Sequence, residues 1–384
     1  MRLEFRPVVL RLIVAQMCLH ATMSGVRMAA PLLALKLGYS AMSVGVLLAL
    51  FALAQVFLAL PVGRFTDRRG LRVPIHIAWV MSSLGVLAAG IWPTFEVLCV
   101  TALVAGSASG TAMISVQRHA GRLSHDQGDI REIFSWMAVA PTLANFAGPF
   151  FTGLLIDALD YRWAFVVLGL VPPIAGLAVR NLKDLINSHP DEPSRSKASS
   201  FDLLRNVPLR KLLLVNWMLS SCWDVHAFMV PLLGHELGLS ASAIGTILGA
   251  FALAATAIRL SMPWVARHVR EMKAVAVAMM LTGVFFVIYP FATGAWMMGI
   301  LSTLLGMSLG SVQPMVMSTL HQVTPRERQG EALGLRIMTI YASSVIMPLM
   351  FGSLGALVGA TAVFWAVGAV VGLGSRTALG LTQR

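Results

Sequence analysis

Charge is scarce in this chain. Of its 384 residues, 12% are Asp, Glu, Lys or Arg, about half the share of an ordinary soluble domain. Acids are the scarcer sign, 17 against 29 Lys and Arg. Cysteine is nearly absent. Cys18, Cys99 and Cys222 all fall inside apolar stretches, and an odd number of such thiols excludes a disulfide framework. No G-x-x-x-x-G-K-[ST] loop occurs, so a nucleotide-driven machine is not expected. No metal-ligand cluster, nucleophile–base pair or large soluble domain is visible, so neither enzyme activity, nor a metal, nor a cofactor is expected. Alternating ten-residue strands are missing too, which argues against a β-barrel. Arg2, Arg6 and Arg11 flank a first apolar run that is too long for a signal peptide and lacks a small-residue cleavage site.

Apolar sequence is what the chain has instead: 57% of residues are hydrophobic and the mean hydropathy is +0.78. Twelve apolar stretches stand at 8–30, 42–63, 73–92, 95–117, 133–156, 163–180, 209–233, 242–265, 272–290, 294–317, 332–354 and 357–375. Most are long enough to cross a hydrocarbon core of about 30 Å as helices, and helices satisfy their own backbone in lipid. The expected fold is all-α, with twelve transmembrane helices. The formal charge of +12 does not point to nucleic acid, because of where it sits. With a cytoplasmic N-terminus, 24 of the 29 Lys and Arg fall in inner loops and tails, while Lys36 and Arg162 fall outside. That bias orients the chain with both termini in the cytoplasm.

Residues 31–54, PLLALKLGYSAMSVGVLLALFALA, return at 231–254 as PLLGHELGLSASAIGTILGAFALA, with 13 of 24 positions identical. A repeat of this length is a copied half-protein and no solenoid period. Six spans separate the copies, so both halves point the same way and are related by an axis along the membrane normal. The polar segment 183–208 is rich in Pro, Ser and mixed charge and reads as a linker. Phe201, Leu203 and Leu204 allow its second part to lie on the membrane surface as a short amphipathic helix; a plain tether is the other reading. The domains expected are a six-helix bundle at 1–182, a cytoplasmic linker at 183–208 and a second six-helix bundle at 209–384.

The loop after the second span reads Gly63-Arg64-Phe65-Thr66-Asp67-Arg68-Arg69-Gly70-Leu71-Arg72. It resembles the major facilitator superfamily motif G-x-L-A-D-R-x-G-R-[KR]. Gly63, Asp67, Arg68, Gly70 and Arg72 match; Phe65, Thr66 and Leu71 depart. The resemblance implies a cytoplasmic latch that holds one conformation, carried by these matching residues. Arg336, near the start of the eleventh span after Glu331, is a candidate to join it. The fifth span contains Gly148-Pro149 and Gly153. These resemble the G-x-x-x-G-P-x-x-G-G motif of drug-exporting members, in which small residues bring helices five and eight close together. The Arg that such members carry in helix four is missing, since Ala102 stands in its place.

A charge at mid-membrane costs about 2.5–3.5 kcal/mol on insertion scales and calls for a reason. Asp224 is the one intramembrane acid; Arg27, Arg259 and Arg336 are the bases. On a helix, Gln16, His20, Ser24 and Arg27 share a stripe about 80° wide. The seventh span matches it with Asn216, Ser220, Asp224 and Ala227, with Trp223 at the edge. Across the repeat, Arg27 corresponds to Ala227 and Asp224 to Ser24, so each half carries one charge where the other is neutral. Three readings of Arg27 and Asp224 compete: an outer gate pair, a substrate and proton site, and a static buried pair.

The leading expectation is a secondary active transporter working by alternating access, exporting small organic compounds such as drugs or metabolites in antiport with protons. It would sit in a bacterial inner (plasma) membrane as a monomer, with a small-molecule substrate, protons and the lipid bilayer as its partners and no nucleic acid. The alternatives are uptake or exchange of an organic anion, favoured by Arg27 and the missing helix-four Arg, and a non-transporting receptor or lipid-moving scaffold.

Overall fold

A computed structural model describes residues 6–123, 133, 136–185, 200–265, 271–325 and 328–382. Among these residues all regular structure is helical. The helices are α1 (Arg6–Lys36), α2 (Ala41–Arg69), α3 (Arg72–Ile91), α4 (Phe95–Leu123), α5 (Val139–Ala158), α6 (Tyr161–Leu170) and α7 (Pro172–Val179). After the linker come α8 (Val207–Glu236), α9 (Ala241–Val265), α10 (Glu271–Ile288), α11 (Ala295–Val323) and α12 (Gln329–Thr382). Two of these depart from one helix per apolar stretch. The sixth stretch breaks at Val171 into α6 and α7 although Val171 keeps helical angles (φ −73°, ψ −44°), because Pro172 and Pro173 supply no N–H to the preceding turn. The last two stretches run together as α12, interrupted at Gly359 with φ +80°.

Among the described residues, eleven helical segments are long and apolar enough to span a bilayer. The twelfth expected span, α8, has the length at 30 residues. Asn216, Ser220, Ser221, Asp224 and His226 lower its hydropathy. The helix that looks least like a membrane span is thus the one that carries most of the candidate chemistry.

The repeat explains several local geometries. Gly38 (φ +86°) and Gly238 (φ +66°) end α1 and α8 in the same way. Tyr39 N–H donates to the Ala34 carbonyl and Leu239 N–H to the Gly234 carbonyl, the wrap-around bond of a left-handed glycine cap. Close helix packing repeats as well. A Cβ on Gly106 would stand 2.1 Å from the Phe51 carbonyl oxygen, and one on Gly306 would stand 2.3 Å from that of Phe251. Each number pair differs by 200. Where lipid tails are as apolar as the helices, such close backbone approach supplies the packing that hydrophobic burial cannot.

The chain divides into two compact units: Met1–Tyr39 with Val46–Glu192 and Ser240–Gly249, and Ser40–Gly45 with Pro193–Leu239 and Ala250–Arg384. In the first, α1, α3, α4 and α7 share a core of Leu12, Leu19, Ile75, Ala112, Val116 and Val179. In the second, α8 and α10 pack on α12, and Phe286, Tyr289 and Phe364 are fully buried. The segment Ser200–Arg205 forms a short 3-10 helix, with Leu203 buried. Asn206 then caps α8, its side-chain oxygen accepting from Leu209 N–H.

Candidate functional site

In the first unit the polar stripe of α1 meets α4 and α5. His20 Nδ1 lies 2.8 Å from Ser109 Oγ, and His20 Nε2 lies 3.3 Å from Asn145 Oδ1. A carbonyl oxygen only accepts, so Nε2 carries the hydrogen and Ser109 donates to Nδ1. Ser24 donates to the same Asn145 oxygen at 3.4 Å. Gln16 is buried, and its Oε1 has no hydrogen-bond partner among the described residues. Arg27 is half-buried, one turn beyond Ser24.

In the second unit α8 and α12 run alongside each other, and their side chains meet at two levels. At the lower numbers, Arg336 Nε donates to Asn216 Oδ1 at 3.0 Å and Arg336 Nη2 donates to Gln313 Oε1. Two helical turns on, Ser343 donates to Asp224 Oδ2 at 2.9 Å and Ser344 to Oδ1 at 3.0 Å. Ser343 also lies 3.0 Å from Ser221 Oγ. Asp224, Asn216 and Arg336 are 5%, 3% and 7% exposed, so both charges have left bulk water. A protonated Asp224 would instead donate, and one of these serines would have to turn its O–H away. Ser220 is buried and Trp223 is half-buried. Trp223 meets Phe251 edge-on at 4.6 Å. Phe251 also stacks on His226 at 4.0 Å, whose Nε2 reaches Ser302 Oγ at 2.9 Å.

The loop motif is fastened inside the first unit. Asp67 pairs with Arg118 and, at 2.8 Å, with Arg122, both in the last turns of α4. Arg122 also donates to the Leu185 carbonyl. Beside them Thr66 and Ser115 hydroxyls meet at 2.9 Å. Gly63 runs near Arg118, and Arg68 is exposed. Arg72 donates from Nε to Asp184 Oδ2 at 2.6 Å, while the N–H groups of Leu71 and Arg72 donate to Oδ1. Gly70 makes the turn possible twice over. Its φ is +76°, and a Cβ there would lie 2.6 Å from the Asp184 carboxylate. Arg336 makes the hydrogen bonds given above to Asn216 and Gln313.

Burial works against the charged form of Asp184, but the Arg72 and Leu71 hydrogen bonds and the Arg72 charge outweigh it and hold the carboxyl below its ordinary 3.8. The stabilisation is therefore complete above pH 3.8 and is lost as pH falls below that value through the lowered one. Asp184→Asn is expected to cost about 1.5–3 kcal/mol at pH 7, the scale of charge-assisted hydrogen bonds. Thermal unfolding in detergent checks this: the gap between wild type and variant should close in acid.

The fifth-span motif brings backbones together. A Cβ on Gly148 would lie 2.7 Å from the Ala21 carbonyl oxygen of α1, and one on Gly153 would lie 2.4 Å from that of Ala241. The Pro149 carbonyl abuts Gly245, and Asp157, one turn beyond Gly153, accepts from Ala241 N–H at 3.0 Å and Ser242 N–H at 2.8 Å. The second unit repeats the arrangement with Pro348 against Gly45 and Gly352 against Ala41.

Several of these partners were not singled out in the sequence: Ser109, Asn145, Asp157, Ser343 and Ser344. Asn145 was the readable one, an amide inside a membrane helix. Serines are common in such helices, so nothing in the sequence marks Ser343 or Ser344.

The Major Facilitator Superfamily model matches residues 12–279 and 212–381. The class G tetracycline resistance protein of Vibrio anguillarum is 27% identical over 85% of this chain and 84% of its own length. The class E tetracycline resistance protein of Escherichia coli is 25% identical over 81% and 78%. The quinolone resistance protein NorA of Staphylococcus aureus is 21% identical over 83% and 82%. Among solved structures, a POT family transporter in complex with a thioalcohol-conjugated peptide superposes with a TM-score of 0.80 at 12% identity, over 98% of this chain and 96% of that one. The nucleoside transporter NupG gives 0.72 at 14%, over 98% and 99%. Twelve apolar stretches, a copied half, the glycine-and-arginine loop and these matches agree: the chain is an integral membrane protein of the major facilitator superfamily.

Proposed function

We propose that this chain exports small organic compounds from the cytoplasm in exchange for protons. Its two six-helix halves, 1–182 and 209–384, open alternately to either side, with residues 183–208 as the cytoplasmic tether. It acts as a monomer in a bacterial inner membrane with both termini inside, and it needs no cofactor. The resistance proteins it is similar to support drug-like substrates. The observation that carries proton coupling is Asp224, a buried carboxylate whose partners Ser343 and Ser344 can each reverse a hydrogen bond. A carboxylate in such a setting can hold a proton in one state and release it in another. Arg27 carries the charge of the other copy of the repeat and is, with Asp224, a substrate and coupling residue. The stripe Gln16, His20, Asn216, Ser220 and Trp223 lines the substrate path. Asp67, Arg68 and Arg72, with Gly63 and Gly70 shaping their turn, latch the cytoplasmic side. Gly148, Pro149 and Gly153 form a close-packed seam that sets how α5 moves against its neighbours.

A second reading, uptake or exchange of an organic anion, is favoured by Arg336. Its hydrogen-bond partners among the described residues, Asn216 and Gln313, are neutral, and a substrate carboxylate would neutralise the buried guanidinium.

Expression in cells that lack their own exporters separates the two readings. Export predicts that a panel of tetracycline, quinolone and fluorescent cationic compounds accumulates less, and that a protonophore restores accumulation. Greater uptake of organic anions, with no effect on the panel, would favour the second reading.

A further inference from the structure

A cavity of about 390 Å³ lies where α3 begins and α7 ends, lined by Arg72, Val73, His76, Ile77, Arg180 and Asp184. We propose that it binds the phosphate headgroup of an anionic phospholipid such as phosphatidylglycerol. Its level in the membrane comes first. The span Arg72–Ile91 starts at Arg72, and the span Tyr161–Val179 ends one residue before Arg180. Both arginines therefore stand at the boundary between hydrocarbon and polar headgroups, whichever leaflet that is.

The chemistry comes next. Among the described residues Asp184 is the only acid lining the cavity, and its oxygens already accept from Leu71 and Arg72. Arg72 gives its Nε to that carboxylate, so its two Nη groups remain for a ligand. Arg180 is exposed and makes no hydrogen bond or ion pair among the described residues. His76 spends its Nδ1–H on the Arg72 carbonyl at 2.8 Å, so the donors for a ligand are the two guanidiniums. Two guanidiniums around one space exceed the single acid among the described lining residues, and together they suit a phosphodiester.

The walls below the cavity decide between a lipid and a free anion. Ile77 and Leu84 on α3 are 47% and 64% exposed, and Leu177 on α7 is 61% exposed. These faces continue from the cavity into the apolar span, where acyl chains would lie against them. Basic pockets between membrane helices at this depth are a recognised setting for anionic headgroups.

Native mass spectrometry of the full chain in detergent tests the proposal, using phosphatidylglycerol, phosphatidylcholine and inorganic phosphate as probes. Phosphatidylglycerol should bind in preference to phosphatidylcholine, and equal inorganic phosphate should not displace it. Arg180→Gln should weaken phosphatidylglycerol binding about fivefold, the scale of one basic residue at an anionic surface, and Arg180→Lys should keep most of it. Arg180→Ala should weaken it in the same direction and serves if Arg180→Gln unfolds. Equal binding of the two lipids, full binding by Arg180→Gln and Arg180→Ala, or displacement by inorganic phosphate would overturn the proposal.

Discussion

Asp224→Asn is expected to abolish gradient-driven transport, with a loss of about two orders of magnitude or more, the scale of removing a positioned proton carrier. Asn keeps the shape of the side chain and can still accept from Ser343 or Ser344. It cannot take up a proton near neutral pH, nor can its NH₂ group accept the second hydroxyl. Folding should survive with a modest cost, because the buried charge disappears along with its hydrogen bonds. Counterflow exchange of labelled for unlabelled substrate across proteoliposomes, which needs no gradient, should persist in the variant. Loss of coupled transport with retained exchange is the signature of a proton carrier. Loss of both would make Asp224 a substrate or structural residue, and retention of both would remove it from the mechanism.

Asp67→Asn is the second large effect. In the wild type Asp67 holds Arg118 and Arg122 together, two guanidiniums one helical turn apart in α4 that otherwise repel. The pairs are partly exposed, so their worth lies in geometry more than in stability. Removing the charge should free the end of α2 from α4 and bias the conformational equilibrium. Transport is expected to fall about 5- to 100-fold, the range of a conformational coupling of 1–3 kcal/mol. Substrate affinity in detergent should change little. Asp67→Glu should recover part of the rate. Spin-label distances across the helix ends on the side of the Gly63–Arg72 loop, measured with and without the substitution, check the shift directly. An unchanged distance distribution together with a full transport rate would reduce the loop to a topology signal.

Much of the fold was legible because membrane helices announce themselves by length and hydropathy, and because the repeat says twice where they turn. Gly38 and Gly238, or Gly106 and Gly306, are one instruction written at two places. The site was legible only along single helices. The stripe of Asn216, Ser220 and Asp224 follows from helical spacing, but its partners on α12 lie about 120 residues away. No periodicity in α8 could point to Ser343 or Ser344. Arg336 shows the same limit: nothing in its own helix points to Asn216 and Gln313 as its hydrogen-bond partners. Asp157 escaped notice because it binds backbone N–H groups at the start of α9, and any sequence supplies those. The loop motif could be read as a turn with arginines. That its aspartate reaches the end of α4 required the two helices in place.

The most direct test of the account is a pH jump on purified protein in liposomes. The vesicles are loaded with a compound that the cellular assay identifies, and flux is followed with the proton gradient inward, outward and absent. Proton-coupled antiport predicts that substrate leaves the compartment into which protons flow, that reversing the gradient reverses the flux, and that Asp224→Asn flattens the response. Substrate flux that ignores the direction of the gradient would contradict it.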